Sequence, residues 1–188
     1  MAQDKPAAGS FSLQDYNPDE YRRATRKASM RIITVFAASA MLLSALLTAW
    51  LGESGGNNFK WNLTGVILGL LLTSALVGGL FRKQPWMAAS VYGWQLKRCL
   101  MGITNQMQHL KTAVEHEDPQ AMQILRFYHL ALYHMHQLDG NASAASDLVR
   151  EMEAHRDRME ALQLPVEQRQ LRAGWIDCIK PPARQSSR

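Results

Sequence analysis

Two runs of about twenty consecutive residues without a charged side chain, 32–51 (IITVFAASAMLLSALLTAWL) and 63–81 (LTGVILGLLLTSALVGGLF), constrain this chain more than any other feature. At ~1.5 Å rise per residue, each run as a helix is long enough to cross a ~30 Å hydrocarbon core. A backbone in lipid must satisfy its own hydrogen bonds, so such runs become helices. Only the polar loop GESGGNNFKWN separates them, which predicts a transmembrane helical hairpin. The hydrophobic fraction of 47% conceals this by averaging two very apolar runs with a polar remainder.

The first run is too long, and begins too far from Met1, for the apolar segment of a cleaved signal peptide. Arg22, Arg23, Arg26, Lys27 and Arg31 precede it, Arg82, Lys83, Lys97 and Arg98 follow the second run, and the loop between holds Lys60 opposed by Glu53. The positive-inside rule then puts both termini in the cytoplasm. Trp50, Phe59 and Trp61 flank the outer loop, and Trp86 and Tyr92 lie just inside the basic exit, as interfacial rings do. Neither run contains Asp, Glu, Lys, Arg or His, which removes the signature of a pump, ion channel or transporter.

Gly65, Gly69 and Thr73 form a stripe of small residues on the second run, and Ala40, Ser44 and Thr48 form one on the first. Such stripes let helix backbones approach closely. They pack together within one hairpin, the reading a short connection favours, or they join two chains.

The net charge of +5 is concentrated beside the spans, where topology alone places it, so nucleic-acid binding is not implied. Cys99 and Cys178 both fall on the side assigned to the reducing cytoplasm and read as structural thiols.

The rest of the chain reads as helix. Asn17-Pro18-Asp19-Glu20 is a helix start: an acceptor at the cap, proline at the first position and acids near the positive dipole end. Residues 1–16 read as disordered. Beyond Pro85, Leu96, Leu100, Ile103, Met107, Leu110 and Val114 recur in steps of four and three, the coiled-coil-like seam of one helix. Asp118-Pro119 starts a second helix, with the seam Ala121, Leu125, Tyr128, Leu132 and Met135, which Gly140 stops. A third begins near Ser143 or Ser146, carries Leu148, Met152, His155, Met159 and Leu162, and closes at Pro165.

Folding back at 117–118 sets Leu110 opposite Leu125 and Ile103 opposite Leu132; folding near Gly140 sets His155 by Leu132 and Met159 by Tyr128. The fold class is therefore all-α, a two-helix transmembrane hairpin followed by a cytoplasmic antiparallel three-helix unit. The expected divisions are 1–16, the hairpin at 17–84, the helical unit at 85–164, and 165–188 as one amphipathic turn (Leu171, Trp175, Ile176, Ile179) with a disordered end.

The segments SGGNNFKWNLTGVILGLL, PWM…VYGWQLKR and ILRFYH…QLDGN resemble a family of small proteobacterial membrane proteins catalogued as a domain of unknown function, number three thousand and eighty-seven. The likeness spans residues 16–164. It implies the same hairpin and cytoplasmic helices in a bacterial inner membrane, and it implies no activity.

No residue pattern builds a catalytic, cofactor or metal site. His134 and His136 point to different helix faces, and His129 and His136 stand about two turns, ~10 Å, apart, whereas zinc ligands converge near ~2 Å. Glu115, Glu117 and Asp118 read as turn residues; Glu151, Glu153, Asp157 and Glu160 alternate with arginines as a solvated face does. The 119–138 helix has a second apolar stripe, Ile124, Phe127, Ala131 and His134, which either contacts the second neighbouring helix or forms an exposed interaction patch. The functional expectation is a non-catalytic membrane-anchored module that offers an interaction surface to a protein partner or to copies of itself, with no nucleic acid, cofactor or small-molecule ligand. The alternative is an accessory subunit recognised through its spans.

Overall fold

The chain is all-α in a computed structural model that describes residues 10–175 and 177. It divides into two units, Glu20–Tyr92, and Met1–Asp19 together with Gly93–Arg188.

Helix α1 (Pro18–Leu51) starts where the cap pattern places it, with Asn17 Oδ1 accepting the N–H of Asp19 at 2.9 Å. Its 34 residues make it about 51 Å long. After the turn at 52–58, helix α2 (Phe59–Gly79) returns along it. Both helices are long and apolar enough to cross a membrane. Asn58 braces the turn, its Oδ1 accepting from Glu53 N–H at 3.0 Å and its Nδ2 donating to the Glu53 carbonyl at 3.2 Å.

The two small-residue stripes meet inside this hairpin. A Cβ on Gly65 would lie 2.4 Å from the Cα and N of Ser44, and one on Gly69 would lie 2.7 Å from the Cα of Ala40. These are backbone atoms, so only glycine lets the helices come this close. Along the same seam the Ser39 and Thr73 hydroxyls lie 3.3 Å apart, Ser44 Oγ donates to the Asn62 carbonyl at 2.9 Å, and Thr48 Oγ1 donates to Asn62 Oδ1 at 3.0 Å.

Two short 3₁₀ turns, Phe81–Lys83 and Pro85–Met87, lead into α3 (Ala88–Thr104). Of the rings expected at the membrane interfaces, Trp50 and Phe59 are exposed, whereas Tyr92 is only 3% exposed and is a packed residue.

The seam helix expected over 96–114 is broken into α3 and α4 (Met107–Glu115). Thr104 turns its hydroxyl onto the Leu100 carbonyl at 2.9 Å, and Asn105 follows; back-bonding of this kind bends helices, and asparagine is a poor helix former. Helix α5 (Pro119–Asp139) has the cap the sequence signals, Asp118 Oδ1 accepting from Ala121 N–H at 2.7 Å, and ends on left-handed Gly140. The Lys97–Asp139 ion pair at 2.9 Å and the contact of Thr104 Oγ1 with the Tyr128 hydroxyl at 3.5 Å set α3 antiparallel along α5. Leu96, Leu100, Ile103, Leu110, Val114, Ala121 and Leu125 are all buried.

The third seam helix, α6 (Ala142–Ala161), is displaced from its expected register. His155 lies against Met122 and His129, not Leu132: its Nε2 is 2.9 Å from the Met122 carbonyl, and its ring centroid is 5.3 Å from that of His129. The reason is the turn. Asn141 caps α6 directly after Gly140, through Oδ1 and the Ala144 N–H at 3.2 Å, so α6 begins before Ser143 and each of its residues slides about two turns along α5.

The N-terminal segment is not disordered over its described residues. Strand β1 (Phe11–Ser12) pairs antiparallel with β2 (Gln170–Leu171), Phe11 opposite Leu171. Leu171 is buried in β2, Trp175 is half-buried, and Ile176 and Ile179 lie outside the described residues, as do residues 1–9 and 178–188. Residues 10–16 and 165–171 thus belong to the helical unit.

Candidate functional site

The second apolar stripe of α5 is where the sequence left core and interface open, and the packing is that of a core. Ile124, Phe127 and Ala131 are completely buried and His134 is half-buried. Phe11 meets Phe127 edge-on, with centroids 6.4 Å apart at 79°. Asp15 pairs with Arg169, and the Leu13 N–H donates to the Arg169 carbonyl at 3.0 Å. Burial, and next the positive Arg169, push the His134 pKa down, while Asp15 and the Gln14 backbone oppose the shift. The interaction patch expected at Ile124, Phe127, Ala131 and His134 is therefore largely core, and the ribbon β1–β2 covers it at Phe127. Sequence reading missed the ribbon because two-residue strands carry no periodicity.

On the other side of α5 lies a polar cluster that the apolar seams did not signal. Arg126, 7% exposed, donates from Nε to the Val166 carbonyl at 3.0 Å and from Nη1 to the Met152 carbonyl at 3.1 Å. It thereby ties α5 to α6 and to the segment after Pro165. Burial lowers its pKa first and Arg156 next, against the opposing effects of Glu167, Glu153 and Glu160. One turn on, His129 is 1% exposed. Neither of its ring nitrogens has a hydrogen-bond partner among the described residues; Glu151 Oε1 is 3.7 Å from Nε2, too far for a good bond. Burial, followed by neighbouring His155, brings the His129 pKa down to about 4, with Glu151 opposing and Arg126 adding to the fall. Burial lowers the His155 pKa as well, against the bond to the Met122 carbonyl.

Chemically this is a pair of imidazoles held neutral in a helix interface. Among the described residues no three metal-ligating side chains cluster. Burial raises the Cys99 thiol to about 11, which leaves it a poor nucleophile. Glu117 takes a left-handed backbone (φ 60°) in the α4–α5 turn, and Arg158 reaches its carboxylate at 3.4 Å, so the acids of that turn serve the fold. Arg156 gathers Glu153, Asp157 and Glu160 on the solvated face of α6.

One apolar surface of the helical unit is left open. Trp94 and Met101, two turns apart on α3, are 49% and 63% exposed, and the Arg98 guanidinium between them sits 5.2 Å from the Trp94 ring centroid.

The family model described as "Protein of unknown function (DUF3087)" matches residues 11–176. The match runs from β1 to the residue after Trp175, wider at both ends than the 16–164 likeness, and so takes in the ribbon. No curated protein and no solved structure matches the chain.

Proposed function

Since this chain belongs to the family described as protein of unknown function (DUF3087), we propose that it is a non-catalytic helical interaction module anchored in the bacterial inner membrane by α1 and α2, with both termini in the cytoplasm. The observation that carries the anchoring is the contrast between the two sides of the hairpin. Its inner seam is closed by glycine contacts, while outward residues such as Met41 and Leu71 are 74% and 61% exposed, an apolar surface suited to lipid. Reporters fused after Asn57 and after Gly140 are expected to read periplasmic and cytoplasmic respectively; a cytoplasmic reading at Asn57 would overturn the topology.

With the α5 stripe largely core, the surface that the module offers is the Trp94–Arg98–Met101 face of α3. A large aromatic braced by arginine beside an exposed methionine is the composition that binding surfaces favour. The occupant is a protein partner or a second copy. The double variant Trp94→Ser, Met101→Ser is expected to keep its helicity, since exposed substitutions move stability by only about 0.5 kcal/mol. It should also lose self-association measured by light scattering in mild detergent, or capture of the partner that co-purifies with the parent chain. A variant that folds and still associates refutes this assignment. The alternative, recognition through Gly65, Gly69 and Thr73, is less favoured, because α1 already occupies that stripe.

A further inference from the structure

The Glu20–Tyr92 unit carries an open groove of about 480 Å³ lined by Met30, Arg31, Thr34, Val35, Phe81 and Trp86. This lies within the ~300–1,000 Å³ of ordinary ligand sites. Helix α1 supplies the first four residues on adjacent turns, and the two 3₁₀ turns after α2 supply the rings. Phe81 and Trp86 stack at a tilt, centroids 5.4 Å apart, and the Arg31 guanidinium lies 5.2 Å from the Trp86 centroid. The ring thus holds a cation beside the apolar groove. The one hydroxyl in the wall, Thr34 Oγ1, is spent on the Met30 carbonyl at 2.9 Å.

We propose that this groove binds one anionic phospholipid, its phosphate on Arg31 and an acyl chain against Val35, Phe81 and Trp86. The charge around the groove fits: Lys27, Arg82 and Lys83 belong to the same basic flanks, where Asp19 and Glu20, at the far end of α1, are the acids. A planar guanidinium binds phosphate through paired hydrogen bonds, and a basic pocket between spans on the cytoplasmic side suits an anionic headgroup. A free phosphate would leave the apolar wall unused, and a zwitterionic lipid would offset the cation with its own. The inference rests on the membrane reading above, which puts Arg31, just before the uncharged run, at headgroup depth.

The test uses the full chain in detergent with equimolar phosphatidylglycerol and phosphatidylcholine of identical acyl chains, retained lipid being counted by native mass spectrometry. Phosphatidylglycerol should be retained about tenfold over phosphatidylcholine, because both carry the phosphate and only phosphatidylcholine brings an ammonium group against Arg31. Arg31→Gln should bring the ratio near one, with helicity unchanged by circular dichroism. Thr34→Trp, which fills the groove but keeps the cation, should shed lipid of both kinds. Equal retention by the parent chain, or a preference that survives Arg31→Gln, overturns the site. An equal loss in Lys27→Gln also overturns it, because attraction would then be diffuse. Displacement by inorganic phosphate overturns it too, because the ligand would be a free anion. Failure of the membrane reading shows separately, as a chain that stays in the aqueous phase when cell membranes are extracted with carbonate.

Discussion

Phe127→Ala is expected to cost the helical unit about 4 kcal/mol, the middle of the range for emptying a buried aromatic site. The ring is completely buried, with Ile124 and Ala131 equally enclosed on the same stripe, and Phe11 packs its edge against it. A truncated side chain therefore leaves a hole that rigid helix backbones on one side and a paired ribbon on the other cannot close. The edge-to-face pair adds about 1 kcal/mol to what area alone gives. Hydrogen exchange of the α5 and α6 amides in the full chain reads the loss, since it localises the effect to these helices. Phe11→Ala should cost less, about 1–2 kcal/mol, because Phe11 is only half-buried. Unchanged protection in Phe127→Ala would show that the stripe is a surface after all.

How far the chain could be read in advance follows from the range of the interaction concerned. Caps are local, so Asn17, Asp118 and Gly140 marked their helix ends correctly. Seams over several turns are also legible, which is why Lys97 meets Asp139 where the α3–α5 fold-back requires. The α6 register was not, because it depends on a turn of two residues: taking Ser143 or Ser146 as the start, in place of Asn141 as the cap, displaces every partner of His155. The ribbon was least legible of all. Phe11 and Leu171 are paired across nearly the whole chain, and neither strand is long enough to show alternation. Of the site residues, the glycine stripe on α2 declared itself by spacing, whereas Arg126 carried no signal and His129 stood out only as a metal-ligand candidate with His136. Only packing on both sides of α5 makes them core.

That placement makes the helical unit acid-sensitive. Folded His129 holds its proton with a pKa of about 4, against an ordinary 6.5, so between these values the unfolded chain takes up a proton that the folded chain refuses. Stability contributed by the neutral imidazole is complete above pH about 6.5, declines as the pH falls through that window, and is gone below about 4. The loss from His129 alone is about 3 kcal/mol. His155, whose pKa is also lowered, adds in the same direction, since two imidazoles 5.3 Å apart cannot both charge cheaply beside Arg126. Glu151, mostly solvated at 3.7 Å, offsets only part of this. The informative quantity is the difference between the parent chain and a variant without the imidazole. Urea unfolding of the full chain in non-ionic detergent, run from pH 7.5 to 3.5 beside His129→Leu, should give curves that converge or diverge by about 3 kcal/mol across the window. The variant keeps an apolar body at a site that offers no hydrogen bond, and should show the flatter profile. Parallel curves would mean that His129 is not charging on unfolding, and its burial between α5 and α6 would have to be given up.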